Sequence, residues 1–266
     1  MTYIDLSVWD LALAAALILL NAAISWGFHL GLGRTLAFNT LRMVLQLALI
    51  GYVLGWIFAQ SNPLWTALIA AIMIAVAGYE IRARQSRRFT GFTSYLLGSG
   101  TLLFVGTLTT IYAVAAIIGP NPWYDPRYIL PILGMVLGNT MTGIALTLNT
   151  LTESAARDRA AIEARLSLGH SRFTALSETL RQALRTGTMP ILNAMAASGV
   201  VSLPGMMTGQ ILAGLDPIEA AKYQIMIMFI IAGATALGVV IAGYAAALLL
   251  SDNRHRLRLD RLEKEA

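Results

Sequence analysis

The sequence has no cysteine, three histidines and 12% charged residues, and its lysines are confined to Lys222 and Lys264. Without cysteine there is no disulfide, no zinc–thiolate centre and no thiol nucleophile. His29, His170 and His255 are not spaced as metal ligands on one helix, so neither a haem nor a zinc site is indicated. A P-loop needs Gly-Lys-Ser/Thr so that the lysine reaches the β- and γ-phosphates. Neither lysine follows a glycine, so this chain does not hydrolyse ATP by that route. The Gly-x-Ser-x-Gly elbow and the His-Glu-x-x-His pair are missing as well, which leaves an intramembrane hydrolase unsupported. A soluble domain carries about 25% charged residues; this chain is not an ordinary one.

What is present is apolar: 57% of the 266 residues are hydrophobic and the mean hydropathy is +0.67. Seven runs stand out, at roughly 8–30, 43–59, 63–79, 95–118, 128–150, 189–213 and 223–250. A bilayer crossing takes about 20 apolar residues, so seven of them use most of the length. The expectation is an all-α polytopic membrane protein, a single transmembrane domain over 1–266, with no room for a second folded domain.

Seventeen of the nineteen Lys and Arg fall in alternate loops: Arg34 and Arg42; Arg82 to Arg88; Arg157 to Arg185; and the tail from Arg254 to Lys264. The other loops hold only Arg127 and Lys222. Cytoplasmic loops retain Lys and Arg. The bias therefore predicts an outside N-terminus, a cytoplasmic C-terminus and an odd number of spans. The sequence pI near 9.7 has the same origin. Basic residues in short loops beside apolar spans suit anionic headgroups rather than nucleic acid. The first ten residues carry two acids and no base. A signal peptide needs a basic n-region, so the first run is expected to be a retained span.

The outer turns are short. Gln60-Ser61-Asn62-Pro63 and Gly119–Pro126 are rich in breakers, and Gly214-Leu215-Asp216-Pro217 reads as a turn with Asp216 as N-cap and Pro217 at the first helical position. The basic segment 152–188 is the exception in length. Phe173, Leu176, Leu180 and Leu184 recur at helical spacing opposite Arg172, Glu178, Arg181 and Arg185, an amphipathic pattern. It suits a helix on the membrane surface or a docking element for a cytoplasmic partner.

Within that segment, Glu163-Ala164-Arg165-Leu166-Ser167-Leu168-Gly169-His170-Ser171 resembles the coupling motif of ABC-transporter permeases, Glu-Ala-Ala then three residues then Gly, with Arg165 in place of the second Ala. A helix of one or two turns needs a stop, and Gly supplies it. Val200–Gly209, Ala213–Pro217 and Ala221–Met226 resemble the signature of the FetB-like permeases, membrane subunits of an iron-export ABC system that also include a plant aluminium-tolerance permease. Arg42, Gln46 and Gly51–Leu54 resemble that family's second span, and Pro131, Gly134, Met135, Gly138, Asn139, Met141 and Asn149 its fifth.

The resemblance implies a homodimeric exporter permease in the cell inner (plasma) membrane, metal (iron) export, and two separate ATPase subunits that carry ATP and Mg. It implies no cofactor and no catalytic residue on this chain, and it makes Glu163, Ala164, Leu166, Gly169 and His170 contacts to the ATPase. The alternative is a secondary transporter or channel working without an ATPase.

Polar groups inside a span are costly and face a partner or a cavity. Asn21, Gln46, Asn139, Asn149, Asn193, Gln210 and Gln224 are the amides, with Arg42 and Glu80 near the inner boundary. Asn139, in Gly138-Asn139-Thr140-Met141-Thr142-Gly143, suits close packing or a pore wall. Of eleven methionines, eight recur in the last three spans; thioethers can shepherd a soft metal ion, or simply fill a core. Leu203–Gly209 is expected to break a helix in mid-membrane, because Pro204 removes a donor and Gly205 loosens the wall. Asn139, Met141, Pro204, Gly205, Met206 and Met207 are the candidate path or gate. No metal-ligand set is identified.

Overall fold

The computed structural model describes residues 7–60, 62–252 and 254–263. The acidic N-terminal residues up to Leu6, Ser61 of the Gln60–Pro63 turn and Lys264 of the basic tail lie outside the described residues. The order is α1 (Val8–Gly27), α2 (Gly33–Gln60), α3 (Pro63–Ala83), α4 (Thr93–Ile111) running into a π-helical stretch (Tyr112–Ile118), α5 (Pro126–Arg157), α6 (Arg159–Ser167), α7 (Arg172–Ala175), α8 (Ser177–Ala197), α9 (Gly205–Leu212) and α10 (Pro217–Leu249). Among the described residues there is no strand, only isolated bridges.

Three helices start on the same device. Asn62, Asp125 and Asp216 each stand before a proline and accept N–H bonds from the first turn, Asn62 from Leu64 at 2.9 Å, Asp125 from Arg127 at 2.9 Å and Asp216 from Ile218 at 3.0 Å. The proline at the first helical position lacks the N–H that would be orphaned there, and the side-chain oxygen satisfies the next one. All three starts follow the loops poor in Lys and Arg.

Among the described residues six helices are long and apolar enough to cross a membrane: α1, α2, α3, the α4–π helix, α5 and α10. The run expected as a sixth span, 189–213, is not one helix. Met189–Ala197 is the end of α8, which begins at Ser177 in the basic segment; residues 198–204 are not helical, and α9 follows. Other boundaries shift too. α2 begins at Gly33 rather than near 43, and α5 continues past 150 to Arg157.

The chain divides into two compact units. The first holds α1, α2 and Leu212–Leu215. There α1 opens on a reciprocal Ser7–Asp10 cap, and the buried Ser25 Oγ accepts the Leu32 N–H at 3.1 Å to fix the turn into α2. The second runs over Asn62–Ile211 and from Asp216 onward, and is built around α5, which touches α3, α4, α8 and α10. Its apolar core is in two parts, one including Leu148, Leu151, Leu180 and Leu250, the other including Val105, Val136, Ile227 and Ile231.

Small residues set the crossings. A Cβ on Gly187 of α8 would stand 1.9 Å from Thr147 Oγ1 and 2.7 Å from the Gly143 carbonyl of α5, and one on Gly238 of α10 would stand 2.6 Å from Thr140 Cγ2. Lipid tails are as apolar as leucine, so helices in a bilayer associate by close packing of this kind.

Candidate functional site

Two places gather the residues that the sequence singles out. The first is the end of α5 with α6 and α7. After Arg157 the chain turns at Asp158 into α6, whose Ile162 is buried in the core. α6 stops at a Schellman turn: the Gly169 N–H bonds the Leu166 carbonyl at 3.0 Å, and the His170 N–H reaches back to the Arg165 carbonyl at 3.2 Å. Gly169 has φ +88°, the left-handed position that glycine takes without a Cβ penalty. Ala164, Leu168 and His170 are exposed, with Leu168 at 79%; Leu166 is half-buried against the core. Glu163 pairs with Arg159 at 2.8 Å, and Arg165 crosses to Glu178 of α8 at 2.7 Å. A cleft of about 450 Å³ lies between α6 and α8, lined by Arg157, Asp158, Arg165, Glu178 and Gln182.

The amphipathic pattern from Phe173 onward is helical. Its apolar side is used against protein, with Leu176 and Leu180 buried and α8 packed on α5 and α10, while Arg181 and Arg185 stay exposed.

The tail after α10 folds back onto this side of the molecule. Leu262 pairs with Phe89, the Glu263 N–H bonds the Arg88 carbonyl at 2.8 Å, and the Glu263 carboxylate meets Arg88 and Arg82. His255 Nδ1 accepts the Arg172 N–H at 3.1 Å, which ties the tail to the start of α7. Asp252 accepts the N–H groups of Arg256 and Arg254, both at 2.9 Å, and the Arg256 guanidinium. Those bonds, the Arg256 N–H first, hold its carboxyl at about 2, below its ordinary 3.8. Glu80 pairs with Arg84 at 3.8 Å.

The second place is the break between α8 and α9. Its N–H groups are largely turned inward: Gly199, at φ +88°, bonds the Ser202 carbonyl at 2.9 Å, and Val201 and Ser202 both bond the Ala197 carbonyl. The break therefore lies at 198–204, ahead of the expected 203–209, and Gly205–Gly209 are helical. The reason is local. A proline costs most inside a helix and almost nothing just before its first turn, where N–H groups have no partner in any case. Pro204 takes that place, and its carbonyl accepts the Thr208 N–H at 3.0 Å.

A cavity of about 360 Å³ opens beside the break, between the end of α8, the start of α9 and α10. Pro204 and Met207 line it. Met206 turns instead to the second core, and Gly205 is exposed at the start of α9. Met141 packs on the first core. Asn139 is exposed on α5, with its amide N–H folded onto the Met135 carbonyl of its own helix at 2.9 Å. The fold thus brings two of the six path candidates to this cavity and leaves Asn139 and Met141 elsewhere.

The cavity also holds Met195, Met228 and Gln224. The spacing of Gln224 and Met228, one turn apart, is the signal that could have grouped them. Of the other amides, Asn149 accepts two bonds from Ser86, N–H and hydroxyl, each at 2.8 Å.

The UPF0014 family profile, described as an uncharacterised protein family, matches residues 8–249. The chain is 39% identical to UPF0014 membrane protein slr1647 of Synechocystis over 71% of this chain and 73% of that protein. It is 31% identical to the Probable iron export permease protein FetB of Escherichia coli over 96% of each. It is 32% identical to Protein ALUMINUM SENSITIVE 3 of Arabidopsis thaliana over 88% of this chain and 83% of that one. No solved structure matches it.

Proposed function

The chain belongs to the UPF0014 family of multi-pass membrane proteins, and from that premise we propose that it is the permease subunit of an ABC exporter. It sits in the inner (plasma) membrane as a homodimer with two separate ATPase subunits, which carry ATP and Mg. The exported cargo is a metal ion; iron is the reading taken from the printed name of the Escherichia coli relative. The membrane is crossed seven times, with the α8–α9 pair as the broken crossing, the N-terminus outside and the basic loops in the cytoplasm.

The observation that carries the reading is the exposed end of α6. Leu168 is 79% exposed just past the end of the short helix α6, in the basic segment. An exposed leucine there, flanked by Ala164 and His170 and closed by a glycine stop, suits a groove on a partner protein. The chain lacks a P-loop, so the partner has to supply ATP turnover.

The test is co-expression with candidate ATPase subunits, co-purification, and ATP turnover against a cargo panel. A stable complex whose turnover rises with a metal cargo supports the reading. Transport in vesicles that contain this chain alone, driven by an ion gradient, would instead establish a secondary transporter or channel.

A further inference from the structure

The cavity at the α8–α9 break has a lining that selects a particular chemistry. Three methionines face it from three helices: Met195 in the last turn of α8, Met207 in the first turn of α9 and Met228 in α10. Gln224, one turn before Met228, lines it too. Gln224 is only 8% exposed, and its Oε1 is buried without a hydrogen-bond partner among the described residues. A buried acceptor left unpaired is destabilising, and a turn of the Gln224 side chain into the cavity would let a bound group satisfy it.

Among the described residues no charged side chain lines the cavity. That lining offers an anion no cationic side chain and a hard cation no carboxylate. Hard cations take carboxylate and water oxygen, whereas thioethers prefer soft ions. Lys222, the nearest basic residue in sequence, is paired with Glu219 at 2.6 Å. The site also lies at a discontinuous helix inside an apolar region, where membrane transporters place their cargo and ion sites.

We propose that this cavity binds a soft monovalent d10 metal ion, Cu(I) or Ag(I), through the thioethers of Met195, Met207 and Met228, with Gln224 Oε1 as a harder fourth donor. As a cargo site it rests on the permease reading; as a binding site it stands apart from it. The assignment extends the metal-export reading to an ion class that iron does not represent, since a thioether is a poor ligand for ferric iron. Methionine's three rotatable bonds let each thioether take up different positions from one backbone.

The experiment uses the full chain in lipid nanodiscs and chloride-free buffer, with Ag(I) as a redox-silent probe. Titration calorimetry and elemental analysis after desalting give affinity and stoichiometry. The expected result is one tight Ag(I) per chain, displaced by Cu(I) and not by Mn(II) or Fe(III). Met→Leu conserves volume, so M195L/M207L/M228L keeps the fold and loses the site. Each single substitution weakens binding by at least about tenfold, the scale of losing a metal-site group. M43L/M189L, at methionines outside the cavity, leaves it unchanged.

No saturable Ag(I) binding, or the same stoichiometry in the triple variant, overturns the proposal. Should the triple variant melt early, the single variants decide: if none weakens binding, the site is wrong. Failure to capture an ATPase leaves the binding result standing and refutes only the function proposed above.

Discussion

Gly187→Ala should be among the most damaging single-methyl changes in this protein. The added Cβ would lie 1.9 Å from Thr147 Oγ1 and 2.7 Å from the Gly143 carbonyl, and real Cβ contacts essentially never fall under 3.0 Å. One obstacle is a side chain whose hydroxyl bonds the Gly143 carbonyl at 2.8 Å; the other is helix backbone, which cannot swing aside. α8 and α5 must separate. Overpacking a filled site costs about 1–3 kcal/mol, and two clashes place this one at about 3. At about 2 °C or more per kcal/mol for a chain of this size, the melting temperature should fall by about 6 °C or more.

Thr147→Ala removes the nearer clash and leaves the carbonyl. The double variant should therefore recover part of the loss, with a coupling of about 1 kcal/mol between neighbouring sites. Gly138→Ala is the control: it lies on α5 with nothing within 4 Å of the new methyl, so it should be neutral or slightly stabilising. The assay is thermal unfolding in detergent followed by tryptophan fluorescence, at one scan rate. Gly187→Ala melting with the wild type, or no recovery in the double variant, would refute the packing argument.

Gly169→Leu places a branched side chain at φ +88°, costing about 1–2 kcal/mol at the stop of α6; ATP-driven transport should fall while folding and dimerisation persist, and unchanged transport with the ATPase bound would remove α6 from the coupling role. A reporter active in the cytoplasm at residue 2, or inactive there at residue 266, would sink the proposed orientation. Asp252 is held at about 2 against an ordinary 3.8, so its contribution to the tail fold is complete above pH 4 and lost as pH falls through about 2. The chain has no cysteine of its own, so a dye on Arg254→Cys reports the tail alone: its anisotropy should drop between about pH 4 and 2, and at pH 7 in Asp252→Asn. An identical pH profile in that variant would show that Asp252 does not hold the tail.

The helical class and the Asp216-Pro217 start were legible because each depends on neighbours in sequence. An apolar run of crossing length and an Asx-Pro pair declare themselves locally. The same signal stood at Asn62-Pro63 and Asp125-Pro126 and could have been read in the same way. The stop at Gly169 was legible for the same reason. The break lies a few residues ahead of the expected place because Pro204 stands before a helix rather than inside one.

What was not legible needed distant partners. α8 was divided in the reading between an amphipathic segment and a span because its polar half and its apolar half look like different elements. Only its packing on α5 and α10, through Gly187 and Leu180, makes them one helix. The cavity was illegible for a related cause. Met195, Met207 and Met228 lie on three helices, and no spacing in the sequence connects them. The tail read as a run of basic residues, yet Leu257, Leu259 and Leu262 between the arginines pack on the core.

The continuity of α8 bears on how the two candidate places would communicate. α8 spans Ser177–Ala197 as one helix with Pro190 inside it, about 30 Å at 1.5 Å per residue. Its first turn holds Glu178, the partner of Arg165 in α6, and its last turn holds Met195 at the cavity. A push on the α6 tip therefore reaches the break through one helix and one ion pair, not through a chain of loops. The exposed Arg165–Glu178 pair is itself worth little, on the order of 1 kcal/mol or less. The stiffer connections are Ile162 and Leu176 in the shared core, and the tail, whose His255 fixes the start of α7. A helix anchored at one end, carrying Pro190 in its last two turns and followed by a glycine at φ +88°, is a lever with compliant points at the proline and at the cavity. Under the ABC reading, ATPase movement would tilt α8 about the Gly143–Gly187 contact and change the gap between Met195 on one side and Met207 and Met228 on the other. Widening that contact in Gly187→Ala should then disturb Ag(I) binding at Met195 more than Gly138→Ala does, although neither residue lines the cavity.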